Sequence, residues 1–111
     1  MDRRQIEEIV NIYLRDLGKK IKVEKAILFG SAVSGFLDKD GDIDLLILSG
    51  EFGQMEAGER FDILYLARTD PLTQSAAMDI FGLTPREFQE ASDVSLVGEI
   101  KEKGKEIFLK V

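Results

Sequence analysis

A Gly-Ser pair separated by ten residues from Asp-x-Asp, all set between two apolar runs, narrows what this chain can fold into more than any other feature. The stretch runs from Leu28 to Leu48, LFGSAVSGFLDKDGDIDLLIL. It reads as a strand ending at Phe29, a tight Gly30-Ser31 turn leading into a short helical start, an acidic loop, and a second strand from Asp42 to Leu48. Side chains alternate faces along a strand, so Asp42 and Asp44 are expected to project together while Ile43 points the other way. Two carboxylates on one face repel, and a cation relieves the repulsion. Mg²⁺ takes oxygen ligands and commonly binds through one or two carboxylates plus substrate phosphates. Gly30 lets a phosphate approach the backbone, and free N–H groups at a helix start attract anions. As a bare strand–turn–strand, the same run would make Asp38-Lys39-Asp40-Gly41-Asp42 a solvated turn and nothing more.

The arrangement of Gly30-Ser31, Gly35 and Asp42-Ile43-Asp44-Leu45-Leu46 resembles the nucleotidyltransferase superfamily that includes DNA polymerase β. The short length is similar to that of its minimal nucleotidyltransferase branch, known for standalone prokaryotic domains and for antitoxins paired with HEPN-domain toxins. The resemblance implies an α/β (α+β) fold like the polymerase β palm, a small mixed β-sheet flanked by helices. It implies Mg²⁺ (or Mn²⁺) on Asp42, Asp44 and a third carboxylate, and an NTP, ATP first among them, at Gly30, Ser31 and Ser34. The implied reaction moves a nucleoside monophosphate onto a hydroxyl of a partner protein or a small molecule. A HEPN-domain toxin is the partner it points to, and a homo-oligomer is compatible with the sequence.

The chain departs from the family at one position. Ser34 stands before Gly35, where many relatives carry an arginine. A guanidinium there would offer a phosphate a fixed charged fork. Its loss bears on catalytic strength and leaves metal binding intact; Lys39 or a residue of a partner would have to supply the charge. The same departure sustains a second reading, in which the fold serves as a non-catalytic module that neutralises a toxin by contact.

The 111 residues contain no cysteine and no histidine. Disulfides, thiolate nucleophiles, Ser-His-Asp catalysis and the usual zinc sites are thereby excluded. Acid–base and metal chemistry must rest on carboxylates, hydroxyls, Lys or Arg. A net charge of −6 argues against a surface that tracks nucleic acid, which needs a basic face. The local cluster Lys19, Lys20, Lys22 and Lys25 reads as helix-end charge. One domain, 1–111, is expected from the length. No apolar run approaches the ~20 residues that span a bilayer, and MDRRQIEE lacks the apolar core of a signal peptide. No membrane partner and a cytoplasmic location are therefore expected.

Taken in order, Ile6, Ile9, Val10, Tyr13, Leu14 and Leu17 form one helical stripe over residues 3 to 17, with Gly18 as its stop. Val23 to Phe29 reads as a strand buried from Ala26 onward. Ser49 to Gly53 reads as a loop. Residues 55 to 68 fit a helix with Phe61, Leu64, Tyr65 and Arg68 on one side, ended by Asp70-Pro71; FDILYLA alone would also suit a strand. Ser75 to Phe81 reads as a third strand ended by Gly82. Thr84-Pro85-Arg86-Glu87 is a helix start with a capping box, and Phe88 anchors that short helix. A last helix over 93 to 103, with Leu96, Val97 and Ile100 inside, leads through Gly104 to a terminal strand, Lys105 to Lys110.

The third carboxylate lies on a later strand in the resembling family. Asp79, which interrupts the apolar run Ala77-Met78-Asp79-Ile80-Phe81, is the choice, and the Gly-x-Thr-Pro-x-Glu-Phe run after it is similar to the segment after that strand in related minimal domains. Asp62 is the rival if residues 61 to 67 form the strand. Asp79 would join the metal site and take the acceptor's proton; as a plain edge-strand residue it would simply face solvent.

Overall fold

The computed structural model describes residues 1–38 and 40–107. Helix α1 (Arg3–Leu17) opens the chain, capped by Asp2 in a capping box with Gln5. All six stripe residues of α1 are buried, and Tyr13 is fully enclosed, its hydroxyl donating to the Leu64 carbonyl at 2.6 Å. Strands β1 (Lys25–Phe29) and β2 (Ile43–Leu48) run antiparallel, joined by a 3₁₀ turn over Gly30–Ser34 and the acidic loop. Lys19 reaches back to Asp16 at 3.6 Å, as a cation just past a helix C-terminus should.

After β2 the chain forms a 3₁₀ turn at Gly50–Gln54, where a plain loop was expected; Ser49 caps it and Phe52 plugs the core. Helix α2 (Ala57–Leu66) then crosses over to a parallel strand, β3 (Met78–Leu83). The order β3-β2-β1-β4 completes a mixed sheet, with β4 (Lys105–Ile107) antiparallel to β1. The expected continuation of that strand to Lys110 lies outside the described residues.

Two apolar clusters divide the sheet by face, as strand alternation requires. Ile43, Leu45 and Ile47 of β2 pack with α1 and Leu64 of α2, whereas Leu46 and Leu48 pack with Ile27 and, through Ile100 and Phe88, with α5 (Leu96–Lys103) and α4 (Pro85–Glu90). Helix α4 starts as the sequence indicates, with Thr84 and Glu87 exchanging capping bonds.

Several boundaries differ from the sequence reading. Helix α2 stops at Leu66, short of Asp70, which instead caps a further helix, α3 (Pro71–Ser75), so Ser75 is helical and β3 starts later. Gly82 does not end β3 but lies within it, opposite Ile47, because the Phe52 ring fills the place a side chain would take. Asp42 precedes β2 instead of opening it. Helix α5 begins at Leu96, after the Ser95 cap, not at residue 93. Leu96, expected inside, is exposed at 58%, and Phe61, on the same side of its helix as the buried Leu64, is exposed at 57%. Each sits at the margin of its helix's apolar face, whose buried apolar side chain is Leu64 in α2 and Ile100 in α5.

Candidate active site

The site is assembled at one end of the β1–β2–β3 ladder. Phe29, Asp44 and Asp79 are successive register partners across the three strands. In-register neighbours share a face, so the two aspartates stand side by side on the face that also carries Leu46 and Phe81. The Phe29 and Phe81 rings, 6.1 Å apart between centroids, flank them.

Gly30 follows Phe29 with φ of 67°, in the left-handed region. A Cβ there would run into the Asp44 carboxylate, so only glycine satisfies both the turn and the packing. The 3₁₀ turn that begins here has no side-chain cap at its start. Ser31 is exposed. The Ser34 hydroxyl is turned inward on the loop, donating to the Ser31 carbonyl at 2.9 Å and to that of Phe36 at 3.4 Å. Gly35, at φ of 86°, leaves room for the Arg3 guanidinium, whose Nη2 donates to the Ser34 carbonyl at 3.5 Å. A guanidinium therefore rests beside Ser34-Gly35, but it comes from α1. Lys39 lies outside the described residues.

Asp79 sits on the edge strand, and the ring of Tyr65 from α2 braces it. The Tyr65 hydroxyl donates to the Met78 carbonyl and accepts from the Ile80 N–H, each at 3.2 Å, pinning the backbone on both sides of Asp79. Asp62 is an exposed residue of α2, away from this ladder. Asp42 is exposed just ahead of β2.

Burial, and then the charges of Asp79 and Asp42, push the Asp44 carboxyl above its ordinary range. Asp44 thus feels both of the other aspartates, and the all-oxygen donor set of the three suits a hard cation such as Mg²⁺. Among the described residues, no three acidic, His or Cys side chains are drawn together closely enough to form a ready-made metal cage.

A cavity of about 620 Å³ opens onto Asp44 and the Gly30-Ser31 turn. Phe29, Gly30, Ser31 and Asp44 line one side, and α5 supplies Leu96, Glu99, Ile100 and Lys103 on the other. Nothing in the sequence marks α5 as part of the site; only the sheet order brings its inner face over the Gly30-Ser31 turn. Leu96 and Ile100 also wall an apolar groove of about 560 Å³ that runs along Phe81 to Phe61 and Met55.

The chain as a whole has counterparts among known proteins. The family model described as the nucleotidyltransferase domain matches residues 7–109. A curated protein of Methanocaldococcus jannaschii named “Putative protein adenylyltransferase” is 29% identical over 105 residues, spanning 93% of this chain and 99% of its own. A crystal structure described as “a putative nucleotidyltransferase from Sulfolobus solfataricus” overlays with a TM-score of 0.63 at 16% identity, covering 82% of this chain and 78% of that one. The overlay establishes a shared nucleotidyltransferase fold, and the family model extends over nearly the whole chain, the Gly-Ser turn and the aspartates included. This chain belongs to the nucleotidyltransferase domain family.

Proposed function

We propose that the chain transfers AMP from ATP to a hydroxyl of a partner protein, in a reaction that depends on Mg²⁺ or Mn²⁺. The observation that carries this reading is the pairing of Asp44 with Asp79 in register beside the bare Cα of Gly30. Asp42, Asp44 and Asp79 would hold the cation, which when bound neutralises charge on the phosphates. The Gly30-Ser31 turn would receive the β and γ phosphates on its backbone N–H groups and the Ser31 hydroxyl, with Ser34 bracing the turn through the Ser31 carbonyl. Asp79, exposed at the sheet edge, would accept the proton of the acceptor hydroxyl. The acceptor oxygen attacks the α phosphorus; that O–P bond forms as the bond to the bridging oxygen of the β phosphate breaks, and pyrophosphate leaves with the bonding pair. Positioning and electrostatics are most of what such a transfer asks of a protein.

A protein acceptor is supported by the M. jannaschii relative's name and by the apolar groove beside the carboxylates, where exposed Phe61, Phe81 and Leu96 offer contact area. The net charge of −6 disfavours a polynucleotide. The family resemblance directs the search for that partner to HEPN-domain proteins. The test is to co-express the chain with the product of its neighbouring reading frame and weigh that product by intact mass spectrometry. Adducts of one or more AMP units, lost with Asp42→Asn, are the expected result. A tight complex with an unmodified partner, retained by Asp42→Asn, would instead establish the non-catalytic module that Ser34 keeps in view.

A further inference from the structure

We propose that Lys103, at the end of α5, is the residue of this chain that grips the nucleotide's triphosphate. The assignment rests on the nucleotidyltransferase reading and goes further, to a residue outside the Gly-Ser and Asp-x-Asp motif. The cavity that holds Gly30, Ser31 and Asp44 is closed on its far side by Glu99, Ile100 and Lys103. Its electrostatics are hostile to an anion. Asp44 already feels Asp79 and Asp42, Glu99 adds a fourth carboxylate, and α5 ends here with the negative pole of its backbone dipole. A triphosphate entering this space needs a cation on the protein side, and Ser34 does not provide one.

Lys103 is the cation among the described residues that line the cavity. It is also available. Its side chain is 71% exposed and its ion pair with Glu99 spans 3.9 Å, a loose surface contact between residues one turn apart. Lys101 is committed elsewhere, donating to the carbonyls of Gln89 and Ala91 at 2.9 and 3.1 Å, and Arg3 rests on Gly35. Lys105, whose contact with Glu7 at 4.0 Å is as loose, does not line the cavity. A lysine delivers a mobile point charge on a flexible stem, suited to following the outer phosphates of a ligand whose α phosphate is fixed by other groups.

Calorimetric titration with Mg·ATP, magnesium tripolyphosphate and AMP tests this on the whole chain. Lys103→Gln should weaken Mg·ATP and tripolyphosphate alike by about ten-fold, the loss of one charge-assisted contact, and leave AMP unchanged. Its ATP affinity should also fall less steeply with added salt, because one screened attraction is gone. Lys103→Arg should restore binding, and Lys20→Gln, outside the cavity, should match the wild type. Undiminished Mg·ATP affinity with an unchanged salt slope in Lys103→Gln would overturn the assignment and leave the nucleotide reading standing. Equal weakening of AMP would overturn it too, by exposing a general structural effect. A wild-type chain that binds no Mg·ATP would overturn the nucleotide reading, and this assignment with it.

Discussion

Asp44 is the residue at which fold and chemistry pull against each other. It is the acidic member of an otherwise apolar strand, half-buried, with two more carboxylates in range, and its carboxyl is raised for those reasons. A raised carboxyl penalises the native state once it ionises. Below the ordinary carboxylate range the side chain is protonated in folded and unfolded chains alike, and pH has no leverage through it. As pH rises from that ordinary value to the raised one, the unfolded chain ionises first and stability falls; above the window the penalty is fully present. Asp44→Asn should therefore stabilise the protein slightly near neutral pH, the gain being limited because solvent screens a half-exposed carboxylate, and the gain should vanish at acid pH, while transfer is abolished. Denaturant titrations of both proteins across pH check this, and a stability loss at neutral pH would contradict the repulsion argued here. The residues of the Gly-Ser and Asp-x-Asp motif were legible because their chemistry is local: a glycine, a hydroxyl and carboxylates at fixed spacing. Glu99 and Lys103 were not, because a charged pair one turn apart on a helix looks the same whether it faces open water or lines a cavity. The Tyr65 hydroxyl that braces Asp79 was equally hidden, since its partners lie on another element.

At the scale of elements, two glycines in regular structure make opposite demands. Gly82 lies inside β3, where an added Cβ would stand 2.7 Å from the Phe52 ring and 3.2 Å from Leu64. Phe52 is fully buried and has nowhere to swing, so Gly82→Ala should destabilise by about 1–3 kcal/mol, as overpacking does. Gly58 lies in the first turn of α2 with nothing within 4 Å of a would-be Cβ. Gly58→Ala should stabilise by about 0.4–1 kcal/mol, by narrowing the unfolded ensemble and favouring helix. Thermal unfolding of the pair would show Tm moving in opposite directions, and shifts of the same sign would refute the packing argument. Gly82 also shows why the third strand was misjudged. A glycine after an apolar run usually signals a stop; here it marks a strand passing under an aromatic ring that arrives from a distant turn. The amphipathic stripe of α1 and the capping box of α4 were readable in full, since both are written within a few consecutive residues. Helix α3 was not legible because Asp70-Pro71 reads equally well as the stop of one helix and the start of the next, and here it serves only as the start.

The whole molecule carries a net charge of −6, and its candidate site concentrates carboxylates. Such a surface repels a free triphosphate and attracts divalent cations, so the triphosphate should bind well only together with a cation. ATP alone should leave the melting temperature nearly unchanged, since two like-charged bodies meet. Mg²⁺ alone should raise it slightly, by relieving the repulsion at Asp44. Together they should act more than additively, because the cation removes the charge that opposes the triphosphate and the phosphates complete the cation's oxygen ligands. A ligand held only by the native state at ~100 times its dissociation constant adds about 2.7 kcal/mol. For a chain of this size, ~1 kcal/mol corresponds to roughly 4 °C or more, so the combined rise should be on the order of 10 °C. Chelating the metal with EDTA should return the transition to that of the free protein, and Asp42→Asn with Asp44→Asn should abolish the combined rise. A rise of equal size with ATP and EDTA would show that the triphosphate binds without a cation. The aspartates would then have to be reread as ordinary surface charge, and the transfer chemistry assigned to them would fall.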